Sequence, residues 1–191
     1  SALADDKDNT HYKEINYYVQ FSNGRFYIGL WDLFNSRNIN TAVASEDIFN
    51  YSNRRTAHII DLRTNYTFGA SCPLNIEADI MLYGGANAGE VVLESDGTYK
   101  KNKYSTYIQA SYPVIKDKKV NLDAFVGAGF ALNDKRFLYG NGENSFDIVN
   151  VGVKASKTVK ITDHYSLPVS MMTMWNPSNK FARIQLAATV F

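Results

Sequence analysis

Apolar residues recur at every second position along almost the whole chain, which is the period of a strand and not the 3.6 of a helix. Leu74, Ile76, Ala78, Ile80 and Leu82 alternate with Asn75, Glu77 and Asp79. Val120, Leu122, Ala124, Val126, Ala128, Phe130 and Leu132 continue the pattern opposite Asn121, Asp123, Gly127 and Gly129. That run is long enough for a bilayer, which a tilted strand crosses in ~9 to 11 residues. Val149, Val151, Val153, Ala155 and Val159 face away from Asn150, Gly152, Lys154 and Ser156, and Ala182, Ile184, Leu186, Ala188 and Val190 face away from Arg183, Gln185 and Thr189. Less regular runs cover 12 to 22, 25 to 34, 57 to 68, 104 to 114 and 167 to 175, making nine predicted strands and no amphipathic helix.

The connections alternate in length. Short ones fall at 22 to 24, 69 to 73, 116 to 119 and 162 to 165, and long ones at 35 to 56, 84 to 103 and 133 to 145. The link from Asn176 to Lys180 is short but falls on the long-loop side. Tight turns at one end and longer loops at the other are the up-and-down pattern of outer-membrane barrels.

Periodicity does not say which face meets water, because a soluble barrel buries its apolar face and a membrane barrel turns it to lipid. The polar face carries charges of both signs, namely Glu14, Asp61, Arg63, Glu77, Asp79, Asp123, Lys154 and Arg183, which suits a water-filled lumen tied by ion pairs and hydrogen bonds. The apolar face is smooth, with small residues (Ala78, Ala110, Ala124, Ala128, Ala155, Ala182, Ala188) where a packed core favours larger ones. Aromatic residues gather near the predicted strand ends, as interfacial girdles require: Tyr12, Phe26, Phe34, Tyr66, Phe68, Tyr83, Tyr104, Tyr112, Tyr165, Trp175 and Phe181. Phe191 ends the given chain and reads as a barrel assembly signal, although its parity matches Gln185 and Thr189 and not the apolar row.

Composition sharpens this in three ways. Across 191 residues, 20 Lys+Arg balance 19 Asp+Glu, so bulk charge does not point to a nucleic-acid partner. The 13 Tyr, 11 Phe and 2 Trp are more aromatic side chains than an ordinary domain of this size carries, in keeping with strands and interfaces. Cys72 is the single cysteine, so no internal disulfide forms, and no Cys/His spacing suggests a metal site. No apolar stretch approaches the ~18 to 20 residues of a membrane-spanning helix, which leaves strands as the only spanning element.

Several stretches carry a resemblance. From Phe146 through Asp147-Ile148-Val149-Asn150-Val151-Gly152-Val153-Lys154-Ala155-Ser156-Lys157, then Lys160-Ile161-Thr162-Asp163, Ser166-Leu167-Pro168-Val169 and Asn176-Pro177, the chain resembles the C-terminal half of an uncharacterised family of outer-membrane barrels from the Bacteroides and Flavobacterium lineage, similar to the TorF-like porins. Tyr104-Ser105-Thr106-Tyr107, the stretch from Asp123 to Gly129 and Leu82-Tyr83-Gly84 resemble the same family. The resemblance implies an antiparallel up-and-down transmembrane β-barrel of about twelve strands, within the usual range of single-chain barrels. Residues 12 to 34 resemble an internal hairpin of that family, which implies about three strands upstream of those visible here. Strand parity agrees, since nine strands put the two ends on opposite sides of the membrane; alternatively, 37 to 50 hides a weak strand through Ile39, Thr41 and Val43.

Candidate chemistry is sparse. His58 near Asp61 reads as a polar strand end before a catalytic pair, and His11 and His164 fall on a strand start and a turn. Glu77 and Asp79 stand ~7 Å apart on one strand face and are expected to pair with Arg63 or Arg183 in the lumen. Gly140-Asn141-Gly142-Glu143-Asn144 and Asp5-Asp6-Lys7-Asp8 lack calcium-loop spacing and read as turns. Gly127-Ala128-Gly129 sits inside a strand and makes room for close packing. The expectation is a single-domain outer-membrane barrel, 1 to 191, with no enzymatic role and no cofactor, that passes small solutes. Its expected partners are outer-membrane lipid, the barrel assembly machinery and other outer-membrane proteins. The alternatives are a non-conducting barrel that anchors a complex through 84 to 103 and 133 to 145, and a soluble lipocalin-like carrier suggested by Gly29-Leu30-Trp31.

Overall fold

A computed structural model describes residues 4–5, 10–11, 13–36, 48–52, 56–84, 91–93, 99–117 and 119–190. The strands are β1 (Ala4–Asp5), β2 (Thr10–His11), β3 (Lys13–Asn23), β4 (Phe26–Ser36), β5 (His58–Thr67), β6 (Asn75–Gly84), β7 (Val91–Leu93), β8 (Tyr99–Asn102), β9 (Ser105–Lys116), β10 (Asn121–Ala131), β11 (Phe146–Lys160), β12 (Ser166–Asn176) and β13 (Phe181–Ala188). Among the described residues there is no helix. Nine strands form one antiparallel sheet in the order β13-β12-β11-β10-β9-β6-β5-β4-β3, a plain meander apart from the β7–β8 hairpin set between β6 and β9. β1 pairs β2, and β7 pairs β8, as two small separate sheets. Among the described residues the sheet is open: β3 and β13 each have one unpaired edge.

All nine predicted strands are present, with ends shifted by a few residues. The stretch 84 to 103, read as loop, contains β7 and β8, whose Val91-Val92-Leu93 run has high strand propensity. The weak strand considered at 37 to 50 falls mostly outside the described residues, as does Phe191; residues 48 to 50 carry no strand. The first hairpin turns at Gly24-Arg25, with Gly24 at φ 46, one residue later than expected. A two-residue loop with glycine in the first central position is the connection that suits the strand twist.

Register carries the alternation across the sheet. One row runs Val19↔Leu30↔Leu62↔Ile80↔Thr106↔Phe130↔Phe146, and the row on the opposite face runs Gln20↔Gly29↔Arg63↔Asp79↔Tyr107↔Gly129↔Asp147. Bulges interrupt the ladder at Ile60/Asp61, Leu122/Asp123 and Gly127/Ala128, where strands bend most readily. The third changes a side chain's face. Gly127 pairs Asn150 and Ala128 pairs Ile148, so Val149 is the extra residue. It leaves the apolar row where alternation had placed it and is buried beside Asn150 on the polar side.

The sheet curls with its polar face inside, because Asp79 on β6 and Arg183 on β13, five strand positions apart, line the same cavity. The apolar face is convex and, away from the long-loop end, uncovered: Val126 and Val151, on central strands, are 42% and 44% exposed. Among the described residues the buried apolar side chains are Leu33, Phe34, Met81, Phe137 and Val149, of which Phe34 is on the convex face.

Candidate functional site

Register and alternation put Glu14, Asp61, Arg63, Glu77, Asp79, Asp123, Lys154 and Arg183 on the concave face. Glu14, on β3, accepts a hydrogen bond from Asn16 Nδ2 at 2.8 Å. Arg63 lies directly across from Asp79 but spends its Nε on Asp61 Oδ2, at 2.7 Å, while its guanidinium rests over the Trp31 ring at 4.5 Å. Trp31 in turn donates to the Tyr27 hydroxyl at 2.7 Å and stacks on Tyr18 at 4.2 Å. Both Tyr27 and Trp31 lie over Gly29, where a methyl group would collide with them. Glycine at that position therefore lets an aromatic layer lie flat against the sheet and clamp the arginine.

The expected pairing of Glu77 and Asp79 with Arg63 or Arg183 is not made. Among the described residues neither carboxylate has a hydrogen bond, since Arg63 goes to Asp61 and Arg183 lies over the Phe181 ring at 4.8 Å. The β5–β6 wall thus holds three carboxylates against one guanidinium, with Asp61 Oδ1 buried and unpartnered. On the other side, Asp123 faces Lys154 in register across β10 and β11, and both line a second cavity of about 560 Å³ with Glu77, Gln109 and Phe125.

Between these walls runs a polar relay. Asn150 Nδ2 donates to the Tyr107 hydroxyl at 2.6 Å, Tyr107 donates to Gln109 Oε1 at 2.7 Å, and Gln109 Nε2 donates to Ser111 Oγ at 3.2 Å. Tyr107 has one hydrogen and gives it to Gln109, so Asn150 must present its NH2 to Tyr107. That leaves Asn150 Oδ1 as a buried acceptor without a partner. Tyr107 and Asn150 both crowd the hydrogen of Gly127, which is why glycine stands there.

The connection from β10 to β11 folds onto this face. Phe137 lies over Gly129 and is 6% exposed, Leu138 N donates to Ser105 Oγ at 3.1 Å, and Asn179 Nδ2 donates to the Tyr139 carbonyl at 3.2 Å. The signal for this was the trio Phe137-Leu138-Tyr139, too apolar for a solvated loop. The aromatic layer on Gly29 and the Tyr107 relay also escaped notice, because strand propensity already explained each aromatic residue.

His58 pairs with Asp32 and not with Asp61. Its Nδ1 lies 2.6 Å from Asp32 Oδ1 and its Nε2 2.8 Å from the Ile48 carbonyl, so the ring has no nitrogen free for a substrate. Asp32 and His58 belong to the apolar face near the long-loop end, beneath Tyr51, which stacks on the imidazole at 4.1 Å. The neighbourhood is a structural clamp. Cys72 is exposed in the β5–β6 turn, and among the described residues no cluster of His, Cys, Asp or Glu could hold a metal ion.

No protein-family model matches the chain, and no curated protein or solved structure does either.

Proposed function

We propose that this sheet is the greater part of a closed β-barrel in a bacterial outer membrane, and that its concave face lines a passage for small polar solutes. The observation that carries the reading is the inversion of faces: away from the long-loop end the convex side is apolar and exposes large side chains such as Val19, Ile28, Val126, Val151, Met171 and Ile184, while the concave side is polar and charged. Water disfavours such a convex face, and lipid accepts it. The wide smooth surface with alanines at Ala78, Ala110, Ala124, Ala155 and Ala182 supports lipid as the contacting phase, because tails conform to small side chains. Among the described residues no helix is long and apolar enough to cross a membrane, so the strands would do the crossing.

The open edges set a condition on closure. Unpaired backbone groups are too costly in hydrocarbon to remain, so β3 and β13 each need a neighbour. In a nine-strand meander the first and last strands run the same way, so an antiparallel seal needs an odd number of further strands. Three would give the barrel of about twelve that the resemblance to outer-membrane porins implies. The inward fold of Phe137 to Tyr139 narrows one end of the passage, and favours sieving of small solutes over a wide pore.

Reconstitution into planar bilayers tests the reading. Discrete conductance steps are expected, with exclusion of neutral polymers too large for a narrow lumen. A protein that inserts into the bilayer and stays silent at all voltages would contradict the transport reading and leave a membrane anchor.

A further inference from the structure

The cavity of about 410 Å³ at the long-loop end is bounded by Asp79 on β6, Arg183 on β13, the Tyr107–Asn150 relay between them and Leu138-Tyr139 from the inward-folded connection. We infer that this cavity binds short zwitterionic peptides, with the ammonium end toward Asp79 and the carboxylate end toward Arg183. The inference rests on the reading of the concave face as an aqueous lumen.

Both end groups are available. Arg183 has no carboxylate partner among the described residues, and its guanidinium carbon lies 4.8 Å from the centre of the Phe181 ring. Among the described residues Asp79 has no hydrogen-bonding partner: Arg63, across from it in register, gives its Nε to Asp61. Two opposite, unpaired charges on facing walls select a ligand that carries both signs at its two ends. An anion meets repulsion from Asp79 and Glu77, and a cation meets it from Arg183.

Spacing argues for a peptide over a single amino acid. The walls are five strand positions apart, which is about 24 Å along the curved sheet at ~4.8 Å per strand. The two side chains close part of the chord, but the charges of a free amino acid share one α-carbon and cannot reach both. An extended chain advances ~3.3 to 3.6 Å per residue, so a short peptide separates its two end charges where a single α-carbon does not. The middle of the cavity fits the rest of such a ligand: Val149, Leu138 and Met174 offer apolar contact to its side chains. A neutral sugar would leave both charges desolvated without a partner.

Calorimetric titration of the full detergent-extracted protein with trialanine tests this, alongside N-acetyl-trialanine, trialanine amide and maltotriose. Each blocked end loses one charge-assisted contact, and binding is expected to weaken about tenfold. In Asp79→Asn the penalty for acetylation disappears while that for amidation persists; in Arg183→Gln the pattern reverses. This crossed pattern needs no absolute stability to be preserved, since each variant is its own reference. Equal binding of blocked and free peptides, preference for maltotriose, or no binding at all would overturn the inference. Its failure is separate from that of the pore reading, because a protein that conducts yet ignores trialanine loses only the peptide site. Binding without conductance would remove the passage and keep the site.

Discussion

The imidazole of His58 and the carboxylate of Asp32 meet at 2.6 Å on the face that the proposal turns toward lipid, and His58 is fully buried there. The Ile48 carbonyl accepts from Nε2 and Asp32 holds Nδ1 while also accepting from the Tyr51 hydroxyl at 2.6 Å, so both ring nitrogens are engaged. Removing the ring strands a mostly buried carboxylate. His58→Leu is expected to cost about 3 kcal/mol in denaturant unfolding, while the double variant Asp32→Leu/His58→Leu recovers most of it. Equal loss in the single and double variants would show that packing, and not the pair, holds the clamp.

Tyr51 reports on the same clamp from outside the spanning strands. Its hydrogen bond to Asp32, then partial burial, then the Asp32 charge push its phenol up to about 12. A proton held more tightly in the folded state gives stability that is complete below the ordinary tyrosine value near 10 and is lost as pH rises toward 12. Ultraviolet titration of phenolate is expected to show a late-ionising component that shrinks by one phenol in Tyr51→Phe. An unchanged titration in that variant would place Tyr51 away from Asp32.

Gly84 closes β6 at φ 81, and a Cβ there would run into the His58 carbonyl and the Thr56 methyl. Gly84→Ala therefore combines left-handed strain of about 1–2 kcal/mol with a backbone clash, and the protein is expected to unfold at markedly lower urea. Gly24→Ala, with the same sign of φ but nothing within reach, is expected to cost only the strain. Similar losses in both would mean that the His58 contact is not made.

If solutes pass along the concave face, its unpaired cations set ion preference. Lys154→Glu/Arg183→Glu is expected to shift the reversal potential toward cation selectivity, whereas Lys160→Glu, at a strand end and ion-paired to Asp163, leaves it near the parent value. No shift in the double variant would contradict a path past these residues.

Period-two alternation made the strands legible, and with them the shared face of Asp61, Arg63, Glu77 and Asp79, because in a sheet parity alone decides facing. It failed at Val149, where a bulge inserts one residue and reverses parity, and nothing local in Phe146 to Gly152 announces the bulge. Pairing was less legible still. Asp61 takes Arg63 from two residues away on its own strand, and His58 takes Asp32 from 26 residues away, choices set by side-chain reach across the sheet. Closure is a global property of strand number, and alternation within a strand carries no information about it.

The two tryptophans are on opposite faces, Trp175 on the convex row beside Val151 and Ala182 and Trp31 on the concave row beside Asp61. In vesicles of brominated lipid, Trp31→Phe, which keeps only Trp175, is expected to lose most of its emission by contact quenching. Trp175→Phe, which keeps only Trp31, is expected to stay bright. An unquenched Trp175, or equal quenching of both, would contradict a sheet whose apolar face meets lipid.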